Sequence, residues 1–149
     1  MPSQKELVGI GVDAVSWNRL KRFLDEHPLE SVERLLSASE RKSFRAAGDP
    51  LPFLARAFAA KEAYFKASNE VWLGGPDSFR EIEVVMEEKR FRIVDRHCEA
   101  ATSMTPKQSK RDCFVRLRRA RNDAHAEGEF FEMPEGLGAR VFVWKRATP

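Results

Sequence analysis

Four residues stand out for what they could do together. The stretch RAFAAKEAYFKAS, residues 56–68, sets Lys61, Glu62 and Lys66 among Phe and Ala. Far earlier, GIGVD ends on Asp13. Carboxylates are hard oxygen ligands, and Mg²⁺ held by one or two of them keeps waters and accepts substrate phosphate oxygens. Lysines offset the charge of those phosphates. Asp13 and Glu62 with adjacent lysines therefore suit a site for Mg²⁺ and a phosphate ester. A plainer reading stands beside it. Glu62 and Lys66, four residues apart, could be a solvated helix pair worth a few tenths of a kcal/mol. Lys61, near the edge of the apolar stripe, could snorkel to solvent. Asp13 could merely favour the N-terminus of a following helix. Helix geometry alone favours the plainer reading of the pair, and leaves that of Asp13 level with the metal.

The elements that must place these residues are readable. Val8, Ile10 and Val12 alternate with Gly9, Gly11 and Asp13, a strand with small residues on one face. Glycine there marks a close approach by backbone or ligand. A helix follows from about Ser16 and ends at His27-Pro28. Residues 30–47 predict further helix, with SASE opening a second piece as a capping box. GDPLP breaks it, and Pro52 lies near the start of the next helix. On that helix Leu54, Phe58 and Phe65 converge on one buried face. EIEVVMEEKRFRIVDR alternates on both sides of Glu87-Glu88-Lys89 and predicts a hairpin. CFVRLR (113–118) and ARVFVW (139–144) predict two more strands, and the polar stretch 119–138 a long loop. Helices first and strands later imply α+β, an antiparallel sheet packed against helices.

The 149 residues predict a single domain, 1–149. A net charge of +3 does not by itself mark a nucleic-acid binder. Two cysteines, Cys98 and Cys113, form no CxxC or zinc pattern, which fits reduced thiols and a cytoplasmic location. The first residues lack a signal-peptide core, and no apolar run reaches membrane-spanning length. His27, His97 and His125 have no ligand-spaced partners.

GIGVDAV, then VERLLSASER, then FLARAFAAKEAYFKA, in that order and spacing, resemble the paired signature of the 4'-phosphopantetheinyl transferases, in particular the small holo-acyl-carrier-protein synthases. The clear match covers residues 8–68. The resemblance implies transfer of the phosphopantetheine arm of coenzyme A to a serine of apo-acyl carrier protein, releasing adenosine 3',5'-bisphosphate. It implies Mg²⁺ on Asp13 and Glu62, with Lys66 on the phosphates and Lys61 in the lysine position of the KE pair. It also implies carrier-protein docking by Arg19, and more loosely by Arg22, and a homotrimer with the site between subunits. A solvated helix face competes with the docking reading of those arginines.

Departures fall mostly where coenzyme would bind. Ser16 replaces a usual Glu, and Ala57 a usual Arg. Arg56, one place earlier, is turned about 100° from that position, yet stays among the coenzyme-binding candidates with Lys61, Lys66 and Arg116. SNEVWLGG stands where Gly-Thr-Gly is common, and Arg116 and Arg118 stand where small hydroxyl residues are expected. Two alternatives follow. One is a degenerate relative that binds a carrier protein without transfer. The other is a basic module whose arginine run 111–121 contacts nucleic-acid phosphates, although a charged strand edge explains that run better. Survival of Asp13, Glu62 and Lys66 favours activity.

Overall fold

A computed structural model describes residues 4–68, 76–95 and 125–146. The chain runs β1 (Lys5–Ser16), α1 (Trp17–Glu26), α2 (Leu29–Glu33), α3 (Ala38–Ala46), α4 (Pro50–Ala67) and α5 (Pro76–Glu81). It continues as β2 (Ile82–Met86), β3 (Arg90–Asp95), β4 (His125–Met133) and β5 (Gly136–Arg146). The strands form one antiparallel sheet in the order β1-β5-β4-β3-β2. This is the α+β architecture expected from the sequence.

The helix boundaries follow local chemistry. Ser16 caps α1, its Oγ accepting from Arg19 N. At the other end His27 Nδ1 donates to Phe23 O at 2.9 Å, and its ring stacks on Phe23. The predicted capping box is present. Ser37 Oγ accepts from Glu40 N, and the Glu40 carboxylate accepts from Ser37 N. Asp49 caps α4, and Pro50 occupies its first turn, where a missing N–H costs nothing.

α4 differs from its expected form. The apolar wheel predicts one buried face, but the helix is enclosed on most sides. Leu54, Ala55, Ala57, Ala59, Ala60, Ala63, Phe65 and Ala67 are all buried. Its alanines pass unnoticed in a search for large apolar residues, yet they let neighbouring elements come close. On β1, Gly9, Gly11 and Asp13 alternate onto the side that meets α4. A Cβ on Gly11 would overlap the Ala63 carbonyl oxygen, and one on Gly9 that of Ala67. The two backbones therefore touch, as glycine in a strand suggested.

The hairpin around Glu87–Lys89 is present, with Met86 opposite Phe91 and Glu87 N donating to Arg90 O. The stretch 119–138 needs correction. Within it lies β4, followed by a tight turn at Pro134-Glu135 into β5. Ala126, Gly128 and Phe130 turn inward while Glu127 and Glu129 stay outside or half-exposed. That is a period of two written with small and charged residues, so it reads as loop. The predicted strand 113–118, with Arg116 and Arg118, lies outside the described residues.

The face of the sheet opposite α4 is bare of helices among the described residues. Val8, Ile10 and Val12 of β1 and Phe131 and Met133 of β4 are exposed, Ile10 by 54%. No helix of the described residues is long and apolar enough to cross a membrane.

The close contact predicts a sharp mutational contrast. Gly11→Ala should destabilise by about 2–3 kcal/mol, because backbone rather than a flexible side chain must yield. Gly48→Ala, where a Cβ meets nothing within 4 Å, should stay within about 0.5 kcal/mol. Urea unfolding of the two variants checks both.

Candidate active site

Backbone contact between β1 and α4 sets the height of every side chain that follows along them. Two residues beyond Gly11, Asp13 comes to lie against α4. There Lys66 Nζ donates to Asp13 Oδ1 at 2.5 Å and to Val12 O at 3.3 Å. Glu62 lies one turn earlier on α4, half-buried. Its pKa is raised, first by burial and then by the negative charge of Asp13, while Lys66 pulls it back. The structure thus brings Asp13, Glu62 and Lys66 into one cluster at the rim of an otherwise buried helix.

The charge in that cluster does not balance. Two carboxylates face one ammonium, which leaves a net negative charge that attracts a cation. Among the described residues no group of three or more His, Cys, Asp or Glu gathers to hold a metal. Two carboxylates alone suit Mg²⁺, whose other positions go to water and substrate oxygens.

Lys61 does not join the cluster, which corrects its expected role. Its side chain is 0% exposed, and Nζ donates to Glu40 Oε2 at 2.7 Å, Leu35 O at 2.9 Å and Phe79 O at 2.7 Å. All three hydrogens of an ammonium are thereby used. The carboxylate of Glu40 also accepts from Val84 N at 2.7 Å and Ser37 N at 2.8 Å. Burial pushes the Lys61 pKa down, and Glu40 opposes that shift. One ion pair therefore ties α3, α4, β2 and the backbone at Leu35 and Phe79 together. The physical reason for the error is an assumption that a lysine at the edge of an apolar stripe reaches solvent. Here the stripe closes over it. Glu40, read only as a cap, is the partner that the sequence reading missed. No local signal marks it, because Lys61 and Glu40 meet only through the fold.

Arg56 places its guanidinium 5.5 Å from the centre of the Phe130 ring. Ala57 is fully buried. Arg19 and Arg22 are exposed on α1. Ser16, which replaces an expected carboxylate, is occupied as the cap of α1. Arg116 lies outside the described residues.

The model of the 4'-phosphopantetheinyl transferase superfamily matches residues 9–122. A holo-[acyl-carrier-protein] synthase of Aromatoleum aromaticum is 52% identical over 59 residues, 40% of this chain and 47% of that protein. The alignment with this relative spans about half of its length. A holo-[acyl-carrier-protein] synthase of Bacillus cereus is 36% identical over 106 residues, 70% of this chain and 87% of that one. The crystal structure of a Helicobacter pylori holo-[acyl-carrier-protein] synthase in complex with coenzyme A superposes with a TM-score of 0.60 at 26% identity. It covers 90% of this chain and 98% of that one.

Two predictions follow from the electrostatics. Lys61→Met should cost about 3–5 kcal/mol in urea unfolding by stranding the buried Glu40 charge, and adding Glu40→Gln should recover part of that loss. The Glu62 carboxyl, followed by ¹³C NMR, should titrate above an ordinary glutamate. Because its folded pKa is raised, the folding stability linked to Glu62 is full below its unfolded pKa and is lost as pH rises through the folded value. Asp13→Asn should move the titration to lower pH, and Lys66→Met to higher pH.

Proposed function

The chain belongs to the 4'-phosphopantetheinyl transferase superfamily, and from that premise we propose that it moves the phosphopantetheine arm of coenzyme A onto a serine of an apo-acyl carrier protein. The observation that carries this reading is the convergence of Asp13, Glu62 and Lys66 at the rim of α4. Holo-acyl-carrier-protein synthases among its relatives, one of them in complex with coenzyme A, support the reaction class. On this reading the by-product is adenosine 3',5'-bisphosphate.

Asp13 and Glu62 would hold Mg²⁺. Bound there, the metal would supply Lewis-acid stabilisation of a diphosphate. Lys66, exposed by 55% and on a flexible stem, would carry positive charge to phosphate oxygens, where charge develops as the P–O bond to the leaving group breaks. Glu62, with its raised pKa, must be ionised to act as a ligand, so activity should fall on acidification earlier than an ordinary glutamate would dictate. The enclosure of Ala59, Ala60 and Ala63 fixes α4 against β1, so the two carboxylates need little reorganisation when substrate arrives.

The rest of the reaction draws on surfaces elsewhere. Arg19 and Arg22 on α1 would meet an acidic carrier protein, and Arg116 and Arg56 remain candidates for coenzyme phosphates. The bare apolar face carrying Val8, Ile10, Val12, Phe131 and Met133 suits burial against further copies of the chain. We read the assembly as a homotrimer.

Intact-protein mass of an apo-acyl carrier protein tests the proposal directly. Incubation with the protein, coenzyme A and Mg²⁺ should add one phosphopantetheine, and Glu62→Ala or chelator should abolish the gain. A carrier that never gains mass, across several carriers from the same cell, would sink the transferase reading and leave a carrier-binding relative.

A further inference from the structure

Two lysines of α4, five residues apart, each hold a carboxylate, and they differ in one decisive way. Lys61 is wholly enclosed, with three acceptors around its ammonium. It cannot leave without stranding Glu40. Lys66 bonds Asp13 from a side chain that is 55% exposed, while Asp13 itself is 19% exposed. Its other contact is the Val12 carbonyl at 3.3 Å, near the limit of a hydrogen bond. A flexible four-carbon stem lets Lys66 swing away at small cost in packing.

The place that Lys66 fills is the one a metal would need. It bonds Oδ1 of Asp13 at 2.5 Å, and it stands four residues beyond Glu62 on α4. We propose that Lys66 is an exchangeable internal counter-ion that neutralises Asp13 until a divalent cation displaces it, after which the freed ammonium meets the anion that accompanies the metal. This rests on the reading of Asp13 and Glu62 as metal ligands.

The arrangement has a definite thermodynamic consequence. A cation arriving alone must break the Lys66–Asp13 pair and leaves the ammonium without an anion. A cation arriving with a diphosphate gives Lys66 a new partner. Bare metal should thus bind weakly, and the diphosphate should strengthen it.

The test uses the full chain without coenzyme, with Mn²⁺ as the probe, and follows free Mn²⁺ by electron paramagnetic resonance. Lys66→Met and Lys66→Gln, at a half-exposed position, should bind Mn²⁺ roughly fivefold tighter than the unaltered protein. Simple loss of repulsion is separated by a second readout. In ¹⁵N NMR of lysine ammonium groups, a signal missing from Lys66→Met should be slowed in exchange by its carboxylate partner, and Mg²⁺ should release it. Equal or weaker Mn²⁺ binding by both variants overturns the counter-ion while leaving the metal site standing. So does a Lys66 signal that Mg²⁺ leaves unchanged while Mn²⁺ binds. No Mn²⁺ binding by any of the three proteins, even with adenosine 5'-diphosphate added, removes the metal site itself and the proposal with it.

Discussion

The contact between the backbones of β1 and α4 is the constraint from which the rest follows. Gly9 and Gly11 have no side chain to hold the helix away, and Ala63 and Ala67 offer their carbonyls at that surface. A strand and a helix normally meet through interlocking side chains that hold their backbones apart. Here small residues on both elements remove that spacing. Asp13, next in the alternation, then lies where Lys66, from the last turn of α4, can bond its short side chain. A longer acid at a looser interface would reach the same point with more rotamers to lose.

A helix held so closely must also be held in rotation, because a turn about its axis would carry Glu62 and Lys66 away from Asp13. The buried Lys61–Glu40 pair supplies that restraint. It lies on the side of α4 away from the rim, and its hydrogen bonds reach α3, β2 and the backbone at Leu35 and Phe79. Removing one member of such a pair is costly because the other charge stays buried, so α4 cannot turn without stranding Lys61 or Glu40. Adjacent residues of one KE pair thus divide the labour: the lysine locks the helix inward, and the glutamate faces the rim.

Much of this was legible in the sequence. The glycine alternation, the capping box at Ser37 and the hairpin near Glu87 have local signatures, which depend on neighbours a few residues away, whereas Asp13, Glu62 and Lys66 were linked only through the order and spacing of two distant motifs. Lys61 and β4 were not legible for a common reason. A lysine is read as solvent-seeking unless its counter-charge is known, and Glu40 is a partner only once the chain has folded. β4 hides its alternation in Ala, Gly and Glu, which carry little strand propensity and gain their places from pairing with β3 and β5. Both depend on contacts made at long range.

Long range also governs how the molecule comes to be folded. β1 pairs along its length with β5, from Lys5 opposite Arg146 to Ser16 opposite Gly136. The strand that carries Asp13 must wait for a partner well over a hundred residues further along the chain. The entropy of closing so large a loop is spent before any pairing repays it, and topologies of this kind fold slowly. The helices have local signals of their own and can form early. The register of β1 is completed by that distant strand, so the strand that presents Asp13 to Lys66 draws its hydrogen-bonded partner from the far end of the chain.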